Sequence, residues 1–442
     1  MRITDDILYI GANDHDIRLF ERQYPTPYGM AYNSYIIEDE CIAIMDTTDA
    51  RTAAEWRENV DAALRGKEPH YLLMHHIEPD HSALALEMLE RFPQMKIVAS
   101  QKLLQMLPQF FENINLEGRT VAVKEGDTLS LGKHTLRFIA APMVHWPEVM
   151  LSYDEYSKTL FSADAFGSFG TLDRQEDDWA CEARRYYFNI CGKYGAPVQT
   201  ILKKVAALDI ERICPLHGSV LENAKEQAVE NVCERSETFS TERSETFSTE
   251  RSIDGNGAKD KEVSTEFEGI GEKYIAKDRP ISFYIGLYDI WSRYEAEKNG
   301  VFVGYASIHG GTKEAAECFA KILREKGIKV CLMDLTEEEV SFAVEDAFAY
   351  GRAVFAASSY DAGLFPPMHN LLHHLQIKSW QNKRVGLIEN GSWAPSAGKV
   401  MREMLAQMKG VEVIEPMVSI RSRMKEADKA ALRQLAEEIV RP

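Results

Sequence analysis

Residues 71–92, YLLMHHIEPDHSALALEMLERF, place His76, Glu78, Asp80 and His81 within six positions. An apolar strand from Tyr71 to Met74 runs into them, and a helical pattern carrying Leu84, Leu86, Met88 and Leu89 follows. Imidazole and carboxylate groups crowded at a strand-to-helix turn are costly unless they bind something. A solvated polar loop is the alternative for this segment alone, but three more apolar runs end the same way. His145 follows LRFIAAPMV (136–144), Asp164 follows TLFSA (159–163), and His217 follows RICPL (212–216). Singly, each would be a capped or surface group. Together they complete seven candidate ligands, delivered by strand ends to a shared rim, as an αββα sandwich would do. Seven protein ligands suit two metal ions. Asp164 is the candidate bridge, with His76, Glu78 and His145 on one ion and Asp80, His81 and His217 on the other. No thiolate is among them, which excludes soft-metal and iron–sulfur sites. Mixed imidazole and carboxylate ligands with open positions fit iron for oxygen chemistry, and zinc or manganese for hydrolysis.

A second group of candidates lies in the last third of the chain. YASIHGGTKEAAECFA (305–320) reads as strand, loop and helix, and its loop is Ser307, Ile308, His309, Gly310, Gly311 and Thr312. Backbone N–H groups, hydroxyls and a helix N-terminus there would hold a phosphate monoester. The loop is not GxGxxG, which disfavours a dinucleotide, and it lacks the GK[ST] ending of a P-loop. Two further loops follow strands: Ser358, Ser359, Tyr360, Asp361, Ala362 and Gly363 in one, and Glu389, Asn390, Gly391, Ser392 and Trp393 in the other. Ligands of parallel sheets bind at such strand ends. Tyr360 and Trp393 are candidates to flank a planar ring, with ordinary packing as the alternative.

The elements that must position these groups fall into two regions. Residues 1–225 alternate short apolar runs with loops and helices. Residues 299–442 show strand-like runs at 301–307, 329–335, 353–359, 384–390 and 411–419. Helical patterns at 313–326, 337–349, 366–377, 396–408 and 424–440 alternate with them. Five strands alternating with five helices predict a doubly wound parallel sheet. Between the regions, ERSETFST at 234–241 recurs at 242–249. From Glu234 to Lys273 there are 11 acidic and 6 basic residues and no Leu, Met or Trp, so the tract 226–278 is expected to be a low-complexity acidic insertion. A helix within 279–298, SFYIGLYDIWSRYEA, would close the first domain.

Composition narrows the class. A chain of 442 residues that is 45 % hydrophobic has material for more than one core. A net charge of -18 argues against a nucleic-acid surface and against an anionic membrane. No run reaches the ~20 apolar residues of a membrane helix, and MRITDDILYI does not read as a secretory signal. Seven widely spaced cysteines without a CxxC pair read as reduced thiols, which fits the cytoplasm, and they exclude a fused rubredoxin-like module.

The spacing His76-Ile-Glu78-Pro-Asp80-His81 resembles the HxHxDH of the metallo-β-lactamase superfamily, with Glu78 in place of its second histidine. With the lone His145, Asp164 and His217, and the contexts HWPEVM, FSADAFGSFG and PLHG, the pattern resembles the flavodiiron proteins, or A-type flavoproteins. The second region resembles flavodoxin. SIHGGT stands where hydroxyl-rich loops are usual, and SSYDAG where an SPT-like segment is common. The resemblance implies an α/β chain: a metallo-β-lactamase-like sandwich followed by a flavodoxin-like five-stranded parallel sheet. It further implies FMN, two iron ions bridged by Asp164, and reduction of O2 to water or NO to N2O. HWPEVM and DAFGSFG look more like O2-preferring members. The implied partners are an external donor, such as rubredoxin or its reductase, and a second copy in a head-to-tail homodimer or a tetramer. An acidic donor would require a local basic patch beside the flavin despite the global charge. The competing readings are a zinc-dependent hydrolase, against which Glu78 and the flavin module argue, and a flavin electron carrier, against which the complete ligand set argues.

Overall fold

A computed structural model describes residues 1–112, 114–174, 179–224, 275–276 and 279–441. The repeat at 234–252 and Cys233 lie outside the described residues. The described chain divides into two compact units. Residues 1–187 and the described part of 196–288 form the first; 188–195 and 289–441 belong to the second. The division falls inside the helix Ile281–Ser292, whose last turn reaches Glu297 through the Trp291 indole N–H at 2.6 Å.

Two sheets make the first unit. One has six strands in the order Ile7–Tyr9, Tyr35–Ile37, Ala43–Met45, Tyr71–Met74, Lys96–Ser100 and Thr120–Val123. The other runs Thr128–Ser130, Thr135–Ala140, Met150–Asp154, Thr159–Phe161, Arg212–Cys214, Val220–Glu222 and Ile275–Ala276. Successive strand residues face opposite sides of a sheet, so strands buried on both faces read as unbroken apolar runs. Leu72 and Met74 pack with Trp56, Val60, Met88 and Leu103 of the covering helices. Leu73, Tyr35, Ile37 and Met45 face Leu136, Phe138, Phe161 and Cys214 of the second sheet. This produces helix, sheet, sheet. Residues Ile275–Ala276, inside the tract expected to be an insertion, instead pair in parallel with Val220–Leu221. The tract's polar composition ends at Lys273, and an apolar dipeptide extends the ladder.

The second unit is the doubly wound sheet. Its strand order is Val330–Asp334, Val301–Ala306, Arg352–Tyr360 and Arg384–Asn390, then the fifth position, and every neighbouring pair among these is parallel. The fifth strand departs from expectation. The run 411–419 splits into Glu412–Val413 and Val418–Ile420. Pro416 has no N–H to give to a ladder, and the strand breaks around it. The loop after Arg352–Tyr360 folds back as a short hairpin in which Tyr360 pairs with Gly363. Its two central residues, Asp361 and Ala362, both have positive φ, 47° and 55°, as a tight two-residue hairpin requires.

All seven candidate ligands lie in the first unit, at or just beyond strand ends. The last of them sits on a turn that only glycine fits. Gly218 has φ +74°, and a Cβ there would fall 2.0 Å from Ser168 Oγ. Asn33 Nδ2 donates to Pro215 O (2.9 Å) and Gly218 O (2.7 Å), and Tyr35 OH donates to Pro215 O at 2.7 Å, so the turn carrying His217 is pinned from the first sheet. Gly218→Ala is therefore expected to cost about 1–3 kcal/mol of stability and to lower the metal content. Thermal unfolding and metal analysis check this, and an unchanged melting temperature would count against the turn's role.

Candidate metal centre and flavin loops

The strand Tyr71–Met74 ends at two histidines that point opposite ways. The His75 ring lies between Asp46 and Ser152: Nδ1 donates to Asp46 Oδ2 at 2.5 Å, and Nε2 accepts from Ser152 Oγ at 2.8 Å. Its backbone N–H donates to Asp46 Oδ1 at 2.8 Å. His75 is thus a clamp on the strand end. The next residue, His76, turns toward the candidate ligands.

The seven candidates gather in two groups: His76, Glu78, His145 and Asp164 in one, and Asp80, His81 and His217 in the other. Within each, donor atoms lie within 4.8 Å of one another. In the first group His76 Nε2 is 3.1 Å from Glu78 Oε2 and 3.4 Å from Asp164 Oδ2. His145 Nε2 is 3.2 Å from Glu78 Oε2 and 3.1 Å from Asp164 Oδ2. In the second, Asp80 Oδ2 is 3.4 Å from His81 Nε2 and 3.3 Å from His217 Nε2. Asp164 Oδ1 is 3.2 Å from His81 Nε2 and 3.7 Å from His217 Nε2. The two oxygens of Asp164 therefore address different groups, as a bridging carboxylate does. Donors about 2.1 Å from one ion stand roughly 3.0–3.4 Å apart along a coordination edge, and these spacings cluster there.

Unsatisfied atoms point to the same use. Asp164 Oδ1, Asp80 Oδ1 and both ring nitrogens of His81 are buried without a hydrogen-bond partner. Buried polar atoms normally have one. The close approaches between His81 and Asp164 are ion-pair contacts lacking hydrogen-bond alignment, so the atoms aim at a common point rather than at each other. The electrostatics agree. Burial works against a charged His145, but hydrogen bonds to Asp164 and Glu78 outweigh it and raise its pKa to about 9. Burial would raise Glu78; His145 and His76 reverse this and hold it at about 2. Asp164 is likewise held well below the usual carboxylate range by His81, His145 and His76 despite its burial. An anionic site recruits protons when no metal is there.

Outer partners fix the rings. His76 Nδ1 donates to Glu148 Oε1 at 2.7 Å, which leaves Nε2 free to ligate. The same oxygen accepts from Ile77 N at 3.2 Å, while Glu148 Oε2 is buried without a partner. His217 Nδ1 donates to Ala31 O at 2.8 Å. The Trp146 ring stands edge-on to His76 at 5.2 Å. Sequence reasoning missed Glu148, Asp46 and Asn33 as parts of the site. Glu148 stood in the quoted HWPEVM, where an acid followed by Val149 and Met150 was the one available signal.

In the second unit, the loop Ser307–Thr312 ends on the helix Gly311–Glu325, with Gly310 at the cap at φ +83°. Ser307 Oγ accepts from Gly310 N at 3.1 Å, and Thr312 Oγ1 bonds Ser358 Oγ at 2.8 Å, joining the first two loops. A Cβ on Gly311 would meet Ser422 O at 2.3 Å, so the segment after the fifth strand closes tightly on this loop. Asn390 brackets Ser422, donating to its carbonyl and accepting from its N–H at 3.0 Å each. Two more of the expected contacts are used by the protein itself. Glu389 accepts from Gly398 N and Ser419 Oγ, and Ser359 Oγ accepts from Ser396 N and Ala397 N. These side chains shape the loops. Trp393 is 86 % exposed and Tyr360 47 %, which are high values for aromatic side chains.

Residues 30–218 match the family model for the ODP family beta lactamase, and residues 303–434 match that for flavodoxin. The chain is 24 % identical over 450 residues to a rubredoxin-oxygen oxidoreductase of Megalodesulfovibrio gigas, covering 100 % of this chain and 97 % of that one. Along its whole length the chain is similar to this relative of the flavodiiron class, with both matched models in the same order. A Flavo-diiron protein FprA2 of Clostridium acetobutylicum is 30 % identical over 229 residues, 50 % of this chain and 57 % of that protein. The structure of the rubredoxin oxygen:oxidoreductase from Desulfovibrio gigas superposes with TM-score 0.81 at 23 % identity, over 99 % of this chain and 97 % of that one, and shows the same fold. The protein is an oxidoreductase that uses FMN and a non-haem diiron centre. No described helix is long and apolar enough to cross a membrane.

Two outcomes follow for the metal site. Glu148→Gln keeps the side-chain shape but removes the charge behind His76, and is expected to weaken metal binding about 10–100-fold. The iron count should fall from two toward one. Equal affinity in titrations of metal-free wild type and variant would sink this role. Because the raised His145 must lose its proton to ligate, metal uptake at pH 7 should release protons and strengthen as pH rises toward about 9. Chelator competition between pH 6.5 and 9 reads this, and a flat profile would refute it.

Proposed function

We propose that this protein reduces O2 to water, and NO to N2O, with O2 the preferred substrate. The observation that carries the reading is the division of Asp164's oxygens between two ligand groups. The balances are O2 + 4 e⁻ + 4 H⁺ → 2 H2O and 2 NO + 2 e⁻ + 2 H⁺ → N2O + H2O. When bound, FMN would relay electrons singly and the paired irons would supply the open positions where the gas reacts. His76, Glu78, His145, Asp80, His81, Asp164 and His217 would hold the irons, and the loops beginning at Ser307, Ser358 and Glu389 would hold FMN.

The protein's own residues define the approach. Among the ligand side chains Glu78 is 18 % exposed and His145 and Asp80 are 10 % exposed, whereas His76, His81, Asp164 and His217 are nearly closed off. The open side therefore runs along Glu78, His145 and Asp80. Glu78, Asp80 and Asp164 add three anionic ligands, which favour a higher iron oxidation state. Phe20, Tyr32 and Tyr186 pack around the His217 ring at 5.3–5.6 Å and keep that flank dry.

We further infer an external donor, and rubredoxin is its chemistry of choice. The matched relative's name supports it. So do Arg421, Arg423 and Lys425, which are exposed beside the flavin loops on a segment tied to them by Ser422 Oγ donating to Ser392 Oγ at 2.9 Å. Such a strip steers an acidic partner on an otherwise acidic chain. A head-to-tail homodimer, or a tetramer built from it, is the assembly this reading calls for, and the free thiols of Cys41, Cys214, Cys318 and Cys331 fit the cytoplasm.

The test is anaerobic reduction followed by stopped-flow mixing with O2 or NO, with iron and FMN quantified on the same sample. Rapid reoxidation by O2, faster than by NO, is expected. A sample holding two zinc ions and no flavin, or a reduced sample inert to both gases, would overturn the proposal.

A further inference from the structure

The parallel sheet of the second unit has two ends. The flavin loops occupy the ends where strands finish. At the ends where they begin, a cleft of about 690 Å³ opens between the starts of Val301–Ala306, Arg352–Tyr360, Arg384–Asn390 and Glu412–Val413. Its lining includes Lys298, Arg352, Lys383, Arg384 and Arg441 against two acids, Glu297 and Glu412.

Some of these cations have structural partners. Lys383 is buried, and its ammonium donates to Phe348 O (3.0 Å) and Tyr350 O (2.8 Å), closing a helix C-terminus. Arg441 pairs with Glu438 at 2.7 Å. The others do not. Among the described residues, no carboxylate lies within ion-pair distance of Lys298, Arg352 or Arg384, and Arg384 Nε is buried without a hydrogen-bond partner. Arg352 and Arg384 are also register partners on neighbouring parallel strands, so two guanidinium side chains leave the sheet side by side, with Glu412 in register on the far side of Arg384 but outside ion-pair distance. Like charges so placed are destabilising unless an anion joins them. Three glycines, Gly300, Gly351 and Gly410, line the cleft and keep it free of side chains.

We propose that this cleft binds a small molecule carrying two or more phosphate groups, held by Lys298, Arg352 and Arg384. The volume is that of a small-molecule site. Guanidinium groups bind phosphate oxygens in pairs, and two adjacent ones match two linked phosphates. The site is separate from the flavin: the six-residue strand Val301–Ala306 alone puts about 17 Å between the two ends. An occupant here acts on the second unit without entering the electron path, which makes this a regulatory or stabilising site.

The test is calorimetric titration of the FMN-loaded protein with pyrophosphate and, separately, with ADP. Saturable binding of at least one probe is expected, weakening as salt is raised. Tighter binding of ADP than of pyrophosphate would show that the cleft also takes the nucleoside; equal binding would assign the phosphates alone. The variant Arg352→Gln, and the milder Lys298→Gln at the rim, should each weaken binding about tenfold while leaving the flavin absorbance of the protein unchanged. No saturable heat from either probe overturns the proposal, as does binding in both variants equal to that of the wild type.

Discussion

Four carboxylates and four imidazoles cannot be packed together out of water unless positive charge joins them. Here Glu78, Asp80, Asp164 and Glu148 meet His76, His81, His145 and His217, nearly all buried. Attraction between imidazolium and carboxylate recovers part of the desolvation cost, which is why protons gather on His145 and His76 when no metal is present. It leaves Asp164 Oδ1 and Asp80 Oδ1 without donors. Two divalent ions would satisfy those atoms and replace the protons at once. The scaffold must therefore be stiff enough to hold the cluster in its unfavourable, metal-free form, and two buried sheets with a shared apolar core meet that need.

How the sheets deliver the ligands follows from strand geometry. Adjacent residues on a strand face opposite sides, so a strand end can give one histidine to the metals and the other to the scaffold. His75 and His76 divide in this way. Asp46 spends both carboxylate oxygens on His75, one on its ring and one on its backbone N–H, which fixes where the strand stops. Glu148, from the opposite sheet's connection, reaches across to His76 and to Ile77 N. The first group of ligands is thus braced from both sheets by charged side chains. The second is braced by Ala31 O on His217 and by nothing on His81 Nδ1. That inequality makes the two metal positions chemically distinct, although their inventories of histidine and carboxylate are similar.

The candidates that the fold gathers into two groups were legible because their spacing is local: four residues in six positions, and three more each following an apolar run. The alternating strands and helices of residues 299–442 were legible for the same reason, since each periodic segment declares itself without reference to the others. What could not be read depends on contacts between distant segments. Nothing around Asn33 announces that it will hold a turn at 215–218, some 180 residues on. Asp46 ends an apolar run just as Asp164 does, yet one became a clamp and the other faces both groups of candidate ligands. Glu389 and Ser359 lie where flavin contacts were expected, but the folded loops need their oxygens first. The fifth strand failed for a local reason that composition hides: one proline in an otherwise β-rich run.

The charge of the second unit is arranged by the same logic as the metal site, with opposite sign. A phosphate monoester at the finishing ends of the strands can be held by neutral donors, because the helix beginning at Gly311 already presents unpaired N–H groups and a positive dipole end. At the starting ends, helices present their C-termini, so cations are needed there even in the absence of a ligand, and Lys383 serves that purpose. Helix ends alone account for fewer positive charges than that end carries. Among the described residues the side chains of Lys298 and Arg352 reach neither a carbonyl nor a carboxylate, on a chain whose net charge is -18. Self-repulsion among unpaired cations is a cost that scaffold requirements do not explain. At the candidate metal site the equivalent surplus, of anions, would be balanced by two metal ions, and the cleft's surplus calls for the same kind of explanation.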